Sequence, residues 1–394
     1  MIKPRFLLLL LTVSTCCFGQ KVNEYGEVIK KTGEDPVRFV QQKLETHDLI
    51  LFDDGLHSAF EPFVFYRELI SAPNTKLDYV FIEVLGLNSQ PYIDAFLNSK
   101  TRDKNLLSKV FQDDFSGLGW RYETYLDLLS TVWEVNHRQT DEKKKIKVIG
   151  VDQPVYWEGI HTRQDYDIFL KSHIARDYFM YRTITEQMDN FNSGKKGIFL
   201  SNTRHVYKNI RNSKDVPYWN SGTFFYRWHP GKTYAIRIHN VMLSITAADQ
   251  EKKNLTSQGL DHVKYSWISP EKGIWEEAFK LNQNRPVAFS LKDNPFGRAT
   301  YIGNHMLHAD PTQTMYDAYD ALIFLAPLDT LHFSAKMNFF YTGAFKKELK
   351  RRIKIIYGEN LDTFLKNHQA KTIDEFIDNL TKYQSKAKNE LLNK

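Results

Sequence analysis

The feature that most constrains this chain is a series of short apolar runs, bounded by turn residues and separated by stretches of helical spacing. The runs lie at residues 49–52, 79–82, 146–149, 197–200, 234–238 and 321–325. Runs of four or five residues rich in Ile, Val and Phe have the length and composition of strands buried on both faces, as in a mainly parallel sheet. Between them, Phe60, Phe63, Val64, Leu69 and Ile70 mark one apolar helical face, and residues 122–135 and 165–191 carry further helical patterns. Near the end, Phe345, Leu349, Ile353 and Ile356 form a stripe, as do Ile373, Phe376, Ile377 and Leu380. This alternation predicts an α/β fold, with a mainly parallel central sheet flanked by helices and right-handed crossovers. Residues 204–261, less regular and rich in Tyr, Trp and Asn, predict an aromatic insertion in a main domain at 20–330. Residues 331–394 predict C-terminal helices, with the basic run at 346–352 as the solvated face of one of them.

The first residues stand apart. Lys3 and Arg5, the apolar run at 6–13 and the small residues up to Gly19 follow the order of a secretory signal peptide at 1–19. The run is shorter than the roughly 20 residues needed to span a bilayer. An exported protein, periplasmic or secreted, is therefore expected, with Gln20 as its first residue. Lipid attachment at Cys16 is the alternative, and only then is a membrane a partner. If cleavage follows Gly19, the mature chain contains no cysteine, which excludes thiolate catalysis and Cys-ligated zinc. Removing Lys3 and Arg5 from the net charge of +6 leaves +4, spread along the chain, so no nucleic-acid footprint is expected. The oligomeric state is left open.

The residues that follow each strand point to function. The first strand runs into Asp53, Asp54 and His57, the second ends in Glu83, the third in Asp152, and Arg204 and His205 come soon after the fourth. In an open α/β sheet, ligands bind in the crevice at the carboxyl ends of the strands. An isolated Asp there is usually a helix cap or turn former, but acids, amides and imidazoles at four strand ends in a row would concentrate on one rim. Glu83 lies in an apolar segment, so burial demands a partner for it. Glu61, four residues after His57, is placed to orient that imidazole if both share a helix. No GxSxG elbow, Walker motif or GxGxxG is present, so a serine nucleophile and a nucleotide cofactor lack support.

In this order the motifs resemble those of the erythromycin esterase family, within a superfamily that includes haem-binding and Tiki-like relatives. The matching segments are Asp53-Asp54-Gly55-Leu56-His57-Ser58 with Glu61, Val80-Phe81-Ile82-Glu83 and Gly150-Val151-Asp152. Arg176-Asp177-Tyr178-Phe179-Met180, Ser201-Asn202-Thr203-Arg204-His205 and Tyr319-Asp320-Ala321-Leu322-Ile323 complete the set. Asp54 stands where the family has Glu, Ser58 where it has Gly, and Ser201 where it has a first His. The resemblance implies an exported esterase-like hydrolase of a small-molecule ester or lactone, in which His57 activates water. Asp54 and Glu83 would assist it, and Asp152, Arg176, Asp177 and His205 would line the site.

No cofactor is predicted. A divalent metal held by His57, Asp54, Glu83 and His205 is an alternative. So is a non-catalytic binder of haem or another hydrophobic ligand, with His57 or His205 as axial ligand, or an inactive scaffold. The aromatics Tyr207, Tyr218, Trp219, Phe224, Phe225, Tyr226 and Trp228 read either as a substrate wall or as packing.

Overall fold

The protein is described here from a computed structural model, which covers residues 19–172, 175–247, 263–302 and 309–393. The expected leader up to Phe18, with Cys16, lies outside these residues. Nine strands are numbered in chain order: β1 (Leu49–Asp53), β2 (Tyr79–Gly86), β3 (Lys147–Asp152), β4 (Gly197–Ser201), β5 (Thr233–Ile238), β6 (Met242–Ala247), β7 (Val263–Ile268), β8 (Val287–Ser290) and β9 (Ala321–Phe324). Seven form one sheet in the order β3-β2-β4-β1-β5-β9-β8. All neighbours in it are parallel except β8, which pairs antiparallel with β9 at the edge. The six apolar runs are the six parallel strands. β8 escapes the sequence reading because its four residues carry no periodic signal.

Strand alternation divides the core into two layers. Ile50, Phe52, Val80, Ile82, Ile198, Leu200 and Ile236 face one side, with the helices Glu61–Ser71, Glu123–Arg138 and Gly343–Tyr357. Leu49, Leu51, Tyr79, Phe81, Phe199 and Ala235 face the other, with the helices Arg176–Gln187, Ser221–Trp228 and Ile274–Leu281. Each buried Ile, Leu, Val or Phe among them contributes roughly 1.5–3 kcal/mol, so both faces must be covered by helices. Residues 331–393 belong to this arrangement. Leu349, Ile353, Phe364 and Phe376 are buried in the first layer, and Arg352 is buried between Asp113 and Glu348 rather than solvated.

Two expectations are corrected. The helical pattern at 165–191 is not one helix: Arg163–Ser172 and Arg176–Gln187 are separate, so Arg176 opens a helix instead of lying mid-way along one. Residues 204–261 do not leave the sheet as a unit, because β5 within them sits between β1 and β9. Of the described strands in this stretch, β6 leaves the main sheet and pairs antiparallel with β7.

One irregularity positions the site. Ile82 pairs with Gly150 and Gly86 with Asp152, so β2 advances four residues while β3 advances two. The excess, a bulge, begins at Glu83. A Cβ on Gly150 would stand 2.6 Å from the Leu85 carbonyl oxygen and 2.9 Å from that of Gly86. Only glycine lets the bulged backbone come so close.

Candidate active site

The register aligns the strand ends. Asp53 pairs with Ser201 across β1 and β4, and Ile82 pairs with Leu200, which leaves Glu83 level with Ser201. β3 delivers Asp152 on the far side of β2. Beyond β1 the chain turns at Gly55, with φ of 74°, and reaches His57.

Glu83 is the centre of the cluster and is buried. Its Oε1 lies 3.1 Å from Arg176 Nη2, 3.1 Å from His205 Nε2 and 3.4 Å from His57 Nε2. Its Oε2 accepts hydrogen bonds from Ser201 Oγ at 2.6 Å and from the Asn202 amide at 3.2 Å. Burial opposes its ionisation, but the two imidazoles and the guanidinium hold the carboxyl well below the usual carboxylate range.

Each cation has a second partner. Arg176 donates to Asp152 through Nε at 2.7 Å and Nη2 at 2.8 Å, a forked geometry that fixes its plane. His205 Nδ1 lies 2.8 Å from Asp177 Oδ1, which also accepts the Ser221 amide at 2.9 Å. Burial disfavours a charged His205, yet the carboxylates of Glu83 and Asp177 raise it to about 9. A carboxylate at each ring nitrogen favours its charged form.

His57 Nε2 lies 2.8 Å from Asn202 Nδ2. The amide orientation follows from the other end, where Asn202 Oδ1 accepts the Arg204 amide and caps the short helix Thr203–Val206. On the Nδ1 side stand Tyr125 Oη at 3.3 Å and Asp54 Oδ2 at 3.9 Å, and Trp120 meets the ring edge-on at 5.3 Å. Burial works against a charged imidazole here too, but Glu83 overrides it and raises His57 above its ordinary value. Asp54 is buried, and among the described residues its Oδ1 has no hydrogen-bond partner. Burial pushes its carboxyl up to about 8, with Asp53 and Glu83 adding to the effect against the pull of His57.

Seven of the eight residues expected from the sequence thus gather at one rim: His57, Asp54, Glu83, Asp152, Arg176, Asp177 and His205. The eighth does not. Glu61 accepts from His332 Nδ1 at 2.9 Å and from the His332 amide at 3.1 Å, because His57 lies in the turn before the helix and not on it.

His57, Glu83, Asp152, Arg176 and His205 line one cavity of about 230 Å³, closed by Trp120, Phe115, Asp114 and Asn202, with Arg204 also on its wall. A larger groove of about 770 Å³, beside Glu27 and Lys30, holds no acid–base cluster. The aromatics at 207–228 do not line the cavity. Tyr207 and Phe225 are buried, whereas Trp219, Tyr226 and Trp228 are exposed. Asn202, Trp120 and Tyr125 were missed as site residues. Asn202 carried a signal, as an amide directly after a strand, but nothing local marks the other two.

Among the described residues, no group of three or more His, Cys, Asp or Glu is arranged to hold a metal, and no helix is long and apolar enough to cross a membrane. Haem fits poorly as well. Carboxylates occupy both His205 nitrogens, and the cavity falls below the roughly 300–1,000 Å³ of drug-sized ligand sites.

Fold and site together define a three-layer α/β protein with a histidine–carboxylate–arginine centre at the carboxyl edge of its sheet. A solved structure described as a succinoglycan biosynthesis protein shares this fold, with a TM-score of 0.52 at 9% identity over 77% of this chain and 97% of its own. An erythromycin esterase mutant in its open conformation, from the family that the ordered motifs resemble, aligns with a TM-score of 0.49 at 11% identity. That alignment covers 74% of this chain and 93% of the esterase. A Bacillus cereus protein aligns with a TM-score of 0.49 at 10% identity, over 77% and 97% of the two chains. No protein-family model and no curated protein sequence matches the chain.

Proposed function

We propose that this protein is an esterase-like hydrolase in which His57 directs water against an ester or lactone carbonyl. The observation that carries the reading is the imidazole itself. It is held at a cavity wall between Glu83 and Asn202 on one side and Asp54 and Tyr125 on the other. Neutral His57 takes a proton from water as the oxygen attacks the carbonyl carbon, and the resulting imidazolium is stabilised by the Glu83 carboxylate. Negative charge grows on the carbonyl oxygen beside Arg176 and protonated His205, fixed cations that need no reorganisation. Collapse of the tetrahedral intermediate breaks the C–O bond. The proton passes from His57 to the leaving alkoxide, releasing an acid and an alcohol.

A panel of 4-nitrophenyl esters tests the reading. Turnover by the wild-type protein, lost in a folded His57→Ala variant, is the expected result; equal turnover by that variant removes His57 from the chemistry. The leader pattern supports action outside the cytoplasm, and a mature mass beginning at Gln20 is the corresponding measurement.

A further inference from the structure

Among the described residues, every charged side chain around the cavity but one has an ion-pair or hydrogen-bond partner. Arg176 meets Asp152 and Glu83, His205 meets Asp177 and Glu83, and His57 meets Glu83 with Asp54 beyond. Asp114, also on the wall, is turned into its own loop, where it accepts from the Ser116 amide and hydroxyl and from the Gly119 amide. The remaining charge is Arg204. Its side chain is exposed on the cavity wall, and among the described residues no hydrogen bond, ion pair or ring contact engages its guanidinium.

The backbone of Arg204, by contrast, is clamped from both sides. Its amide donates to Asn202 Oδ1 at 3.0 Å, and its carbonyl accepts from Asn220 Nδ2 at 3.0 Å. Asn220 is buried and locked in turn, with its Oδ1 accepting the Thr223 amide at 2.8 Å. The same Asn202 touches His57, so one side chain ties the guanidinium-bearing residue to the acid–base group. Anchoring a peptide this firmly while leaving its long cationic side chain unsatisfied fits a ligand contact better than a structural one. A guanidinium offers forked donors that match a carboxylate or phosphate.

We propose that Arg204 is a substrate-binding residue and that the substrate carries an anionic group, a carboxylate or a phosphate, beyond the bond that reacts. This inference deepens the hydrolase reading and rests on it for the location of the reacting end. A product of such a substrate has one carboxylate at the centre and a second anion at Arg204.

Calorimetry at pH 7 with glutarate, 3-phosphonopropionate and butyrate tests this on the wild-type protein and on Arg204→Gln and Arg204→Lys. Butyrate offers only the first carboxylate. Glutarate or the phosphonate is expected to bind about tenfold tighter or more, as a charge-assisted contact implies, and the tighter of the two names the anion. The preference should collapse toward unity in Arg204→Gln and survive in part in Arg204→Lys. Equal binding of all three, no binding of any, or a preference that persists in Arg204→Gln overturns the proposal. Hydrolysis of 4-nitrophenyl butyrate, measured alongside, separates the two ideas. Turnover without an anion preference sinks the Arg204 assignment alone, whereas a preference without turnover of any ester sinks the hydrolase reading alone.

Discussion

Glu83 Oε1 lies 3.1 Å from His205 Nε2, and this contact joins the two halves of the site. His205 reaches back to Asp177, while Glu83 reaches forward to His57 and Arg176. A buried carboxylate facing the Arg176 guanidinium and two imidazoles holds them together, and removing one partner of such a set strands the others.

Glu83→Gln is therefore expected to cost about 3–5 kcal/mol of stability and to abolish turnover. Urea unfolding monitored by tryptophan fluorescence measures the first effect. A loss below 1 kcal/mol would mean that the charge is not central.

The same pair sets a pH window for stability. The Glu83 carboxyl is depressed, so its contribution is present above the ordinary value of 4.5 and is lost as the pH falls below it. His205 is raised to about 9, so its contribution is full below 6.5 and fades as the pH climbs through 9. With the opposing slope of Asp54 removed by Asp54→Asn, melting temperatures recorded from pH 3 to 10 should peak between roughly 5 and 7, and adding Glu83→Gln should flatten both limbs.

Activity should follow a different curve. His57 must be neutral to accept a proton, and its raised pKa places the acid limb of kcat/KM above 6.5. Asp54, raised to about 8, still carries its proton there, so Asp54→Asn should leave this limb in place. A limb that moved to lower pH would mean that Asp54 is ionised beside the imidazolium.

Asp54 should also be a burden on the fold. Its carboxyl, raised to about 8, keeps a proton that the unfolded chain gives up near 3.8, so stability declines as the pH rises between those values. Asp54→Asn is expected to raise stability at pH 8 by at least about 1 kcal/mol. The adjacent Asp53 is the opposite case. It meets Arg237 Nη1 at 2.6 Å, Tyr319 Oη at 2.5 Å and Thr203 Oγ1 at 3.0 Å, so Asp53→Ala should destabilise by about 3–5 kcal/mol. Chemical denaturation of the two variants side by side checks the contrast.

Gly150→Ala tests the bulge. The added methyl must push against the carbonyls of Leu85 and Gly86, with an expected cost of about 1–3 kcal/mol and a fall in kcat through displaced Glu83. Unchanged stability and turnover would show that the bulged backbone yields freely.

The local pattern of residues was sufficient for the six parallel strands, for the helices at 61–71, 123–138, 343–357 and 373–380, and for polar groups at the strand ends. Those features depend on hydrophobic periodicity and chain direction, which neighbouring residues express directly. The order β3-β2-β4-β1-β5-β9-β8 and the edge strand β8 were decided by tertiary structure. So was the partnership of Glu61 with His332, which lies 271 residues away. The same holds for Asp53 and Asp54, identical and adjacent in the chain, of which one is locked to Arg237 and the other left beside His57. A carboxylate takes its role from the charge that folding brings against it and from the water that folding removes, and neither is encoded within a few residues of it.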